Sequence, residues 1–216
     1  MIVTKNISCF SEDFTLTNQR AIFWDAQKSL ILSDLHIGKS AHFQKSGIAI
    51  PSSVLIKDLA RLEELIHHFE VKQLIVVGDL FHAEFNKDLE VFQQWLTQFN
   101  DLKILLIKGN HDRLKKTIYS DFNIEVHQPD FKIGNIKFVH DVTEVEANFF
   151  TVSGHTHPGV LIKTKGKQYI KLPSFQVTKH QLILPAFSLF TGLNTKDQPE
   201  NCTNFAFTKD AFFELN

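Results

Sequence analysis

Three apolar runs in the first half of this chain each stop on a short cluster of polar side chains. Ser29-Leu30-Ile31-Leu32-Ser33 runs into Asp34-Leu35-His36, and Leu74-Ile75-Val76-Val77 into Gly78-Asp79. Lys103-Ile104-Leu105-Leu106-Ile107 runs into Lys108 and then Gly109-Asn110-His111-Asp112. Unbroken apolar stretches of this length, bounded by turn-forming residues, predict buried strands. From Pro51 to Phe69, Val54, Leu55, Leu59, Leu62, Leu65 and Ile66 recur at helical spacing, opened by Pro51 and two serines. This predicts an amphipathic helix. Leu89, Phe92, Trp95, Leu96 and Phe99 repeat the pattern on a second helix. Strand, helix, strand, helix, strand implies parallel strands joined by right-handed crossovers.

After about Glu125 the texture changes to short extended stretches: Phe131 to Ile133, Ile136 to His140, Phe149 to Ser153, Val160 to Thr164, Gln168 to Leu172 and Leu182 to Leu184. The second half is therefore expected to be mainly β. Lys163-Thr164-Lys165-Gly166-Lys167 has the Gly and polar content of a hairpin turn, and Phe205-Ala206-Phe207 and Phe212-Phe213 read as late strands. Two more polar clusters close strands here, His140 and Gly154-His155-Thr156-His157, the latter followed by Pro158-Gly159. With no repeat, linker or low-complexity segment, residues 1–216 are expected to form one domain. Clusters from both halves, each at a strand end, argue for two packed sheets sharing one site along their edge.

The five clusters offer carboxylates, imidazoles and an amide oxygen, and no thiolate, a donor set suited to Mn, Fe or Zn at a hydrolytic centre rather than to structural zinc. In Asp34-x-His36, side chains two residues apart at a strand end can point the same way and grip one ion. Gly78 lets the backbone turn tightly, so that the Asp79 carboxylate, which has two oxygens, can bridge two ions. The Asn110 carbonyl is a neutral ligand candidate, and His111 is a candidate general acid or charge stabiliser facing substrate. Taken singly, His111 reads more readily as a loop residue, His140 as a strand cap and Asp79 as a turn former. Taken together, the five clusters predict a site for two divalent ions.

Composition narrows the rest. The chain is 43% hydrophobic and 22% charged, ordinary for a soluble globular protein. Its two cysteines, Cys9 and Cys202, lie near opposite ends outside any CxxC spacing, as expected of a reducing cytoplasm. The N-terminus has no signal-peptide pattern and no apolar run reaches membrane-spanning length. A net charge of −1 gives no general attraction to nucleic acid, so such binding must rest on local patches or on the metals.

In this order, the clusters from Asp34 to His157 resemble the calcineurin-like metallophosphoesterase superfamily. The resemblance implies an α/β fold, a four-layer αββα sandwich of two mixed β-sheets flanked by helices. It implies one metal held by Asp34, His36, Asp79 and His157, and a second by Asp79, Asn110, His140 and His155, with Asp79 bridging. It also implies that His111 lies beside the phosphate with Asp112 orienting it, and that phosphoesters are hydrolysed by metal-activated hydroxide without a covalent enzyme intermediate.

Longer stretches resemble a narrower group, the bacterial ligase-associated DNA damage response endonucleases. They are residues Asp34 to Phe43, Gly47-Ile48-Ala49-Ile50-Pro51, Gly78 to His82, Gly154 to Val160, Leu184-Pro185-Ala186-Phe187 and Thr191-Gly192. Membership implies a Mn-dependent nuclease or phosphodiesterase acting on DNA, near a DNA ligase and a helicase. Ser174, between Pro173 and Phe175, departs from the cysteine of that group's pattern, away from the metal clusters. The alternatives are a phosphoesterase acting on nucleotides or nucleotide-linked pyrophosphates, and a binding scaffold that has lost turnover; the complete ligand set speaks against the scaffold.

Candidate substrate contacts are Lys39 and His42, just after the first cluster, and His82, three residues after Asp79. Arg113, with Lys115 and Lys116, is a further candidate for a nucleic-acid backbone, although such a charge run is ordinarily a solvated face. Phe occurs 21 times against two Trp and two Tyr; most read as core, and an exposed subset near the site would suit unstacked bases. The segment from Pro185 to Gly192 carries Phe187, Leu189 and Phe190 without period, which suggests a lid or a dimer contact.

Overall fold

The structure, a computed structural model, describes residues 1–45, 47, 53–82, 84–142, 144–164, 166 and 168–216, with Lys45 described in its backbone only. Of the stretch from Gly47 to Pro51 only Gly47 is described. Pro51 and Ser52 of the expected opening of the first long helix, and Lys165 and Lys167 of the expected hairpin turn, thus lie outside the described residues.

Strands β1 (Thr4–Cys9), β2 (Glu12–Thr17), β3 (Ile22–Trp24), β4 (Ser29–Leu32), β5 (Gln73–Val77), β6 (Lys103–Ile107) and β7 (Ile124–His127) form one sheet in sequence order. Pairing is antiparallel from β1 to β4 and parallel from β4 to β7. The helices are α1 (Lys39–Lys45), α2 (Ser53–His68), α3 (Lys87–Leu96) and α4 (Lys116–Asp121). The second sheet contains β8 (Asp130–Ile133), β9 (Ile136–Val139), β10 (Phe150–Ser153), β11 (Gly159–Lys163), β12 (Tyr169–Val177), β13 (Gln181–Ile183), β14 (Thr203–Phe207) and β15 (Phe212–Leu215). Its order is β15-β14-β12-β13-β10-β9-β8, with β11 beside β12, and among the described residues only the strand pairs β9–β10 and β10–β13 are parallel. β1 to β3, β7, α1 and α4 add to the elements that periodicity predicts.

Two cores explain the unbroken apolar runs. Alternate residues of one strand point to opposite faces, and both faces of the first sheet are covered. Leu30, Leu32, Leu74, Val76 and Leu106 meet Leu59, Leu62, Leu65 and Phe92 of the helices. Ile31, Ile75, Val77, Leu105 and Ile107 meet Phe138, Phe150, Val152, Phe175 and Leu182 of the second sheet. Each fully buried leucine or phenylalanine contributes about 1.5–3 kcal/mol. The α3 helix starts at Asn86, whose side-chain oxygen accepts the Asp88 N–H, satisfying one free helix-end donor.

The architecture is α/β, two mixed sheets with few helices, and the helical cover is one-sided. Among the described residues, every helix precedes β7, before the chain enters the second sheet. β9 and β11 of the second sheet alternate between inward and outward residues, a pattern that suits a sheet with one face in water. No helix among the described residues is long and apolar enough to cross a membrane.

Candidate metal centre

All five polar clusters stand at carboxyl ends of strands: β4, β5 and β6 of the first sheet, β9 and β10 of the second. This is the edge where open α/β sheets expose loop backbone and place ligand sites. Backbone bonds tie the loops together. The Asp34 N–H donates to Gly78 O (3.0 Å), His36 N–H to Asp79 O (2.9 Å) and Gly154 N–H to His140 O (3.1 Å).

The side chains gather into two groups. Donor atoms of Asp34, His36 and His157 lie within 4.8 Å of one another, and so do those of Asp79, His140 and His155. Asp79 reaches toward both, with Oδ2 3.4 Å from His140 Nε2 and 4.0 Å from His36 Nε2. Asn110 Oδ1 joins the second group, 3.2 Å from His140 Nε2. Val77 O lies 3.0 Å from His140 Nδ1; when Nδ1 donates to that carbonyl, Nε2 keeps its lone pair toward the cluster, the arrangement that orients an imidazole ligand.

The backbone carries strain at these residues. Asp34, His36, Asp79, His155 and His157 all have positive φ, between 51° and 68°. Left-handed backbone costs a residue with a side chain on the order of 1 kcal/mol or more, and persists where a site requires it. It turns the side chains off their strands toward one another.

The residues present fit divalent cations. Asp34, Asp79, His36 and His140 are buried, and His36 Nε2 has no hydrogen-bond partner among the described residues. Asp34 Oδ1 faces the His157 imidazole, with Nε2 3.1 Å away. Orphaned buried polar atoms of this kind are costly unless something satisfies them. Burial works to raise the Asp79 carboxyl, but His140, the His111 N–H and His36 outweigh it and hold it at about 2. Burial and Lys39 push the His36 imidazole down to about 3, against Asp34 and Asp79, so it stays neutral. On His140 the carboxylates of Asp79 and Asp34 outweigh burial and lift the imidazole to about 9. Buried anions faced by a neutral imidazole and a proton-seeking one form a site that attracts positive charge.

The other candidates are distributed unevenly. His111 is half-buried beside the clusters, its N–H donating to Asp79 Oδ1 (2.9 Å) and its ring stacked on His82 at 4.7 Å. Asp112 departs from the expected role of orienting His111. Its buried carboxylate accepts the N–H groups of Asp79, Phe81 and Gly109 at 2.8–2.9 Å, so it ties the β5 loop to the β6 loop. His82 and His42 make ring contacts at 5.3 Å, and His82 also meets His36. Lys39 is half-buried and its Nζ lies 5.6 Å from the Phe190 ring centre. Arg113 is exposed, its Nε donating to Asn110 O at 2.8 Å, which braces the loop.

Several participants escape sequence reading. Asp141, next to His140, has Oδ2 3.9 Å from His155 Nε2. The segment from Pro185 to Gly192 is no free lid: Phe187 is fully buried, and the N–H groups of Phe187 and Ser188 donate to Ser33 O and Asp34 O. It is held from behind. The Leu189 N–H donates to Asp58, Arg61 to Phe187 O, and Arg20 to Ala186 O and Ser188 O. The available signal was Asp58, a carboxylate lying on the apolar stripe of α2 among Leu55, Leu59 and Leu62.

Residues 28–186 match the family model described as calcineurin-like phosphoesterase. The chain is similar to the crystal structure of the nuclease MPE of Pseudomonas putida, with a TM-score of 0.83 and 25% identity, covering 99% of this chain and 100% of that one. Weaker likenesses are to a phosphoesterase of E. coli, Yfce (TM-score 0.44, 15% identity, 84% and 88% covered), and to protein AQ665 of Aquifex aeolicus (0.46, 16%, 60% and 78%). No curated protein matches the chain.

Proposed function

Since this chain belongs to the calcineurin-like phosphoesterase family and is a metal-dependent phosphoesterase, we propose that it is a dinuclear phosphodiesterase that cuts DNA. The observation that carries the two-ion reading is Asp79, whose Oδ2 lies 3.4 Å from a nitrogen of one donor group and 4.0 Å from a nitrogen of the other. The nucleic-acid substrate is supported by the end-to-end likeness to a nuclease. Action as an endonuclease in DNA repair, beside a ligase and a helicase in the cytoplasm, is what the likeness to the ligase-associated group adds.

In this reading Asp34, His36, Asp79 and His157 hold one ion, and Asp79, Asn110, His140 and His155 the other. Manganese is favoured for the oxygen- and imidazole-rich donor set, with iron or zinc as alternatives. Paired divalent ions supply Lewis-acid neutralisation of phosphate charge and a water of lowered pKa. The chain's own residues orient and exclude. His111, carried on the N–H bond to Asp79 Oδ1, directs its imidazole toward the phosphate as hydrogen-bond donor or general acid. Asp112 fixes the β5 and β6 loops relative to each other, and Lys39 offers an ammonium to a phosphate oxygen.

The test is Mn-supplemented nicking of supercoiled plasmid beside hydrolysis of bis(p-nitrophenyl) phosphate, with Asp79→Asn as control. Wild type is expected to cleave both and Asp79→Asn neither; an Asp79→Asn protein of full activity removes the bridging assignment. Hydrolysis of the small diester with intact plasmid moves the substrate to nucleotides or nucleotide-linked pyrophosphates and keeps the metal chemistry.

A further inference from the structure

Beside the donor groups, rings from four segments converge. His82 stacks on His111, with centroids 4.7 Å apart and planes at 24°. Phe43 of α1 lies nearly parallel to His82, at 18° and 6.4 Å. Phe190 meets Phe43 edge-on at 6.0 Å, and Lys39 Nζ stands 5.6 Å from the Phe190 centroid. The core phenylalanines Phe81, Phe92 and Phe187 are fully buried, whereas Phe43 and Phe190 are both only half-buried. No metal-holding or proton-moving role uses either ring. The support beneath Phe190 is firm: its N–H donates to Ser188 Oγ, and the neighbouring backbone is bonded to Asp34, Asp58, Arg20 and Arg61.

A half-exposed aromatic pair, Phe190 on an anchored loop and Phe43 on α1, next to an ammonium and a phosphate-type site, matches the chemistry of a nucleotide, whose flat base lies one sugar away from its phosphate. We propose that Phe43 and Phe190 form a stacking subsite for the base flanking the scissile phosphate, with Lys39 taking a phosphate oxygen. This rests on the nucleic-acid reading above and deepens it. The enzyme recognises a nucleotidyl ester by its base, and by a π face that accepts any base rather than by hydrogen bonds that select one. Phe43 and Phe190 are positioning residues; they touch no reacting atom.

The test compares a single-stranded oligonucleotide with one of equal length built wholly of abasic sugar–phosphate units, using the Mn-loaded full chain. For Phe43→Leu and Phe190→Leu, KM on the base-bearing strand is expected to rise by about fivefold or more, the lower end of the loss of one base–aromatic stack. The kcat is expected to hold, and KM on the abasic strand to stay at the wild-type value. Phe43→Tyr keeps the π face and should keep the wild-type KM. Variants that raise KM equally on both strands, or on neither, overturn the subsite while leaving the nuclease reading intact. A wild-type enzyme that cleaves neither strand overturns both. Because Phe43 and Phe190 sit on different segments, each variant tests the subsite independently should the other fail to fold.

Discussion

At Gly109 a methyl group has no room: an ideal Cβ there would lie 2.2 Å from Asp79 Oδ1 and 2.5 Å from Asp79 N. Gly154 is similar, its Cβ falling 2.6 Å from Ser33 Cβ and 2.8 Å from Asp34 Oδ2. At Gly78 the Cβ would fall 2.0 Å from His140 Nδ1. Each of these glycines immediately precedes a proposed ligand and makes space for a ligand of another loop, so the donors touch only because their neighbours lack side chains. Gly109 has no positive φ, which makes Gly109→Ala a steric change alone. It should displace the Asp79 carboxylate together with the backbone that carries it and lower kcat/KM on bis(p-nitrophenyl) phosphate by about 100-fold, a loss that a 1 Å misplacement can produce. Circular dichroism should remain that of wild type. Full activity in the alanine variant would show that the carboxylate can move without consequence. The ligand candidates themselves were legible because Asp, His and Asn are chemically conspicuous at strand ends. The bonds of the Asp112 carboxylate to three backbone N–H groups were not, since a carboxylate that braces a loop and one that orients an imidazole have the same sequence neighbours.

The brace behind the centre belongs to the element scale. Asp58 and Arg61 lie on α2 one turn apart, with Arg61 Nη1 3.2 Å from Asp58 Oδ1. Burial raises the Asp58 carboxyl above its ordinary range and lowers the Arg61 guanidinium to about 10, so the pair stands on mutual compensation. Removing one member of a buried pair costs about 3–5 kcal/mol, whereas replacing both with apolar residues is often neutral. Arg61→Met, which keeps the stem and loses the bond to Phe187 O, should therefore lower the urea midpoint more than the double replacement Asp58→Leu with Arg61→Met. A double variant less stable than the single one would mean that the bond of Asp58 to the Leu189 N–H outweighs the relief of the unpaired charge. The elements that carry the centre, β4 to β6, α2 and α3, were readable because both faces of those strands are buried and the helices carry one apolar stripe. β1 was not: its half-buried residues are Lys5, Ile7 and Cys9, an inward face with no consistent apolar signal. β12 runs past the expected end at Leu172 because it changes partners at Pro173, pairing with β11 up to that residue and with β14 from Ser174. A strand that changes partners tolerates a proline that the interior of one ladder does not.

At the scale of the whole molecule, neither donor group belongs to one sheet. Asp34 and His36 come from the first sheet and His157 from the second; Asp79 comes from the first, and His140 and His155 from the second. An ion bound at either group therefore fastens the two sheets at their shared edge, and it neutralises a buried carboxylate, Asp34 in one group and Asp79 in the other. A ligand bound only by the folded state stabilises it by about 2.7 kcal/mol at a hundredfold excess over Kd. For a chain of this size each kcal/mol moves Tm by about 2–4 °C. Addition of Mn to EDTA-stripped protein should thus raise Tm by roughly 5–10 °C, and Asp79→Asn should lose most of that rise. Hydrogen exchange separates this coupling from simple loop ordering. Protection should increase at the carboxyl ends of β4 and β5 and at those of β9 and β10 together, because each ion draws donors from both. Protection confined to one sheet would mean that the ions bind loops of that sheet alone, and that the packing of Ile31, Ile75 and Val77 against Phe138, Phe150 and Val152 holds the two halves in register without them.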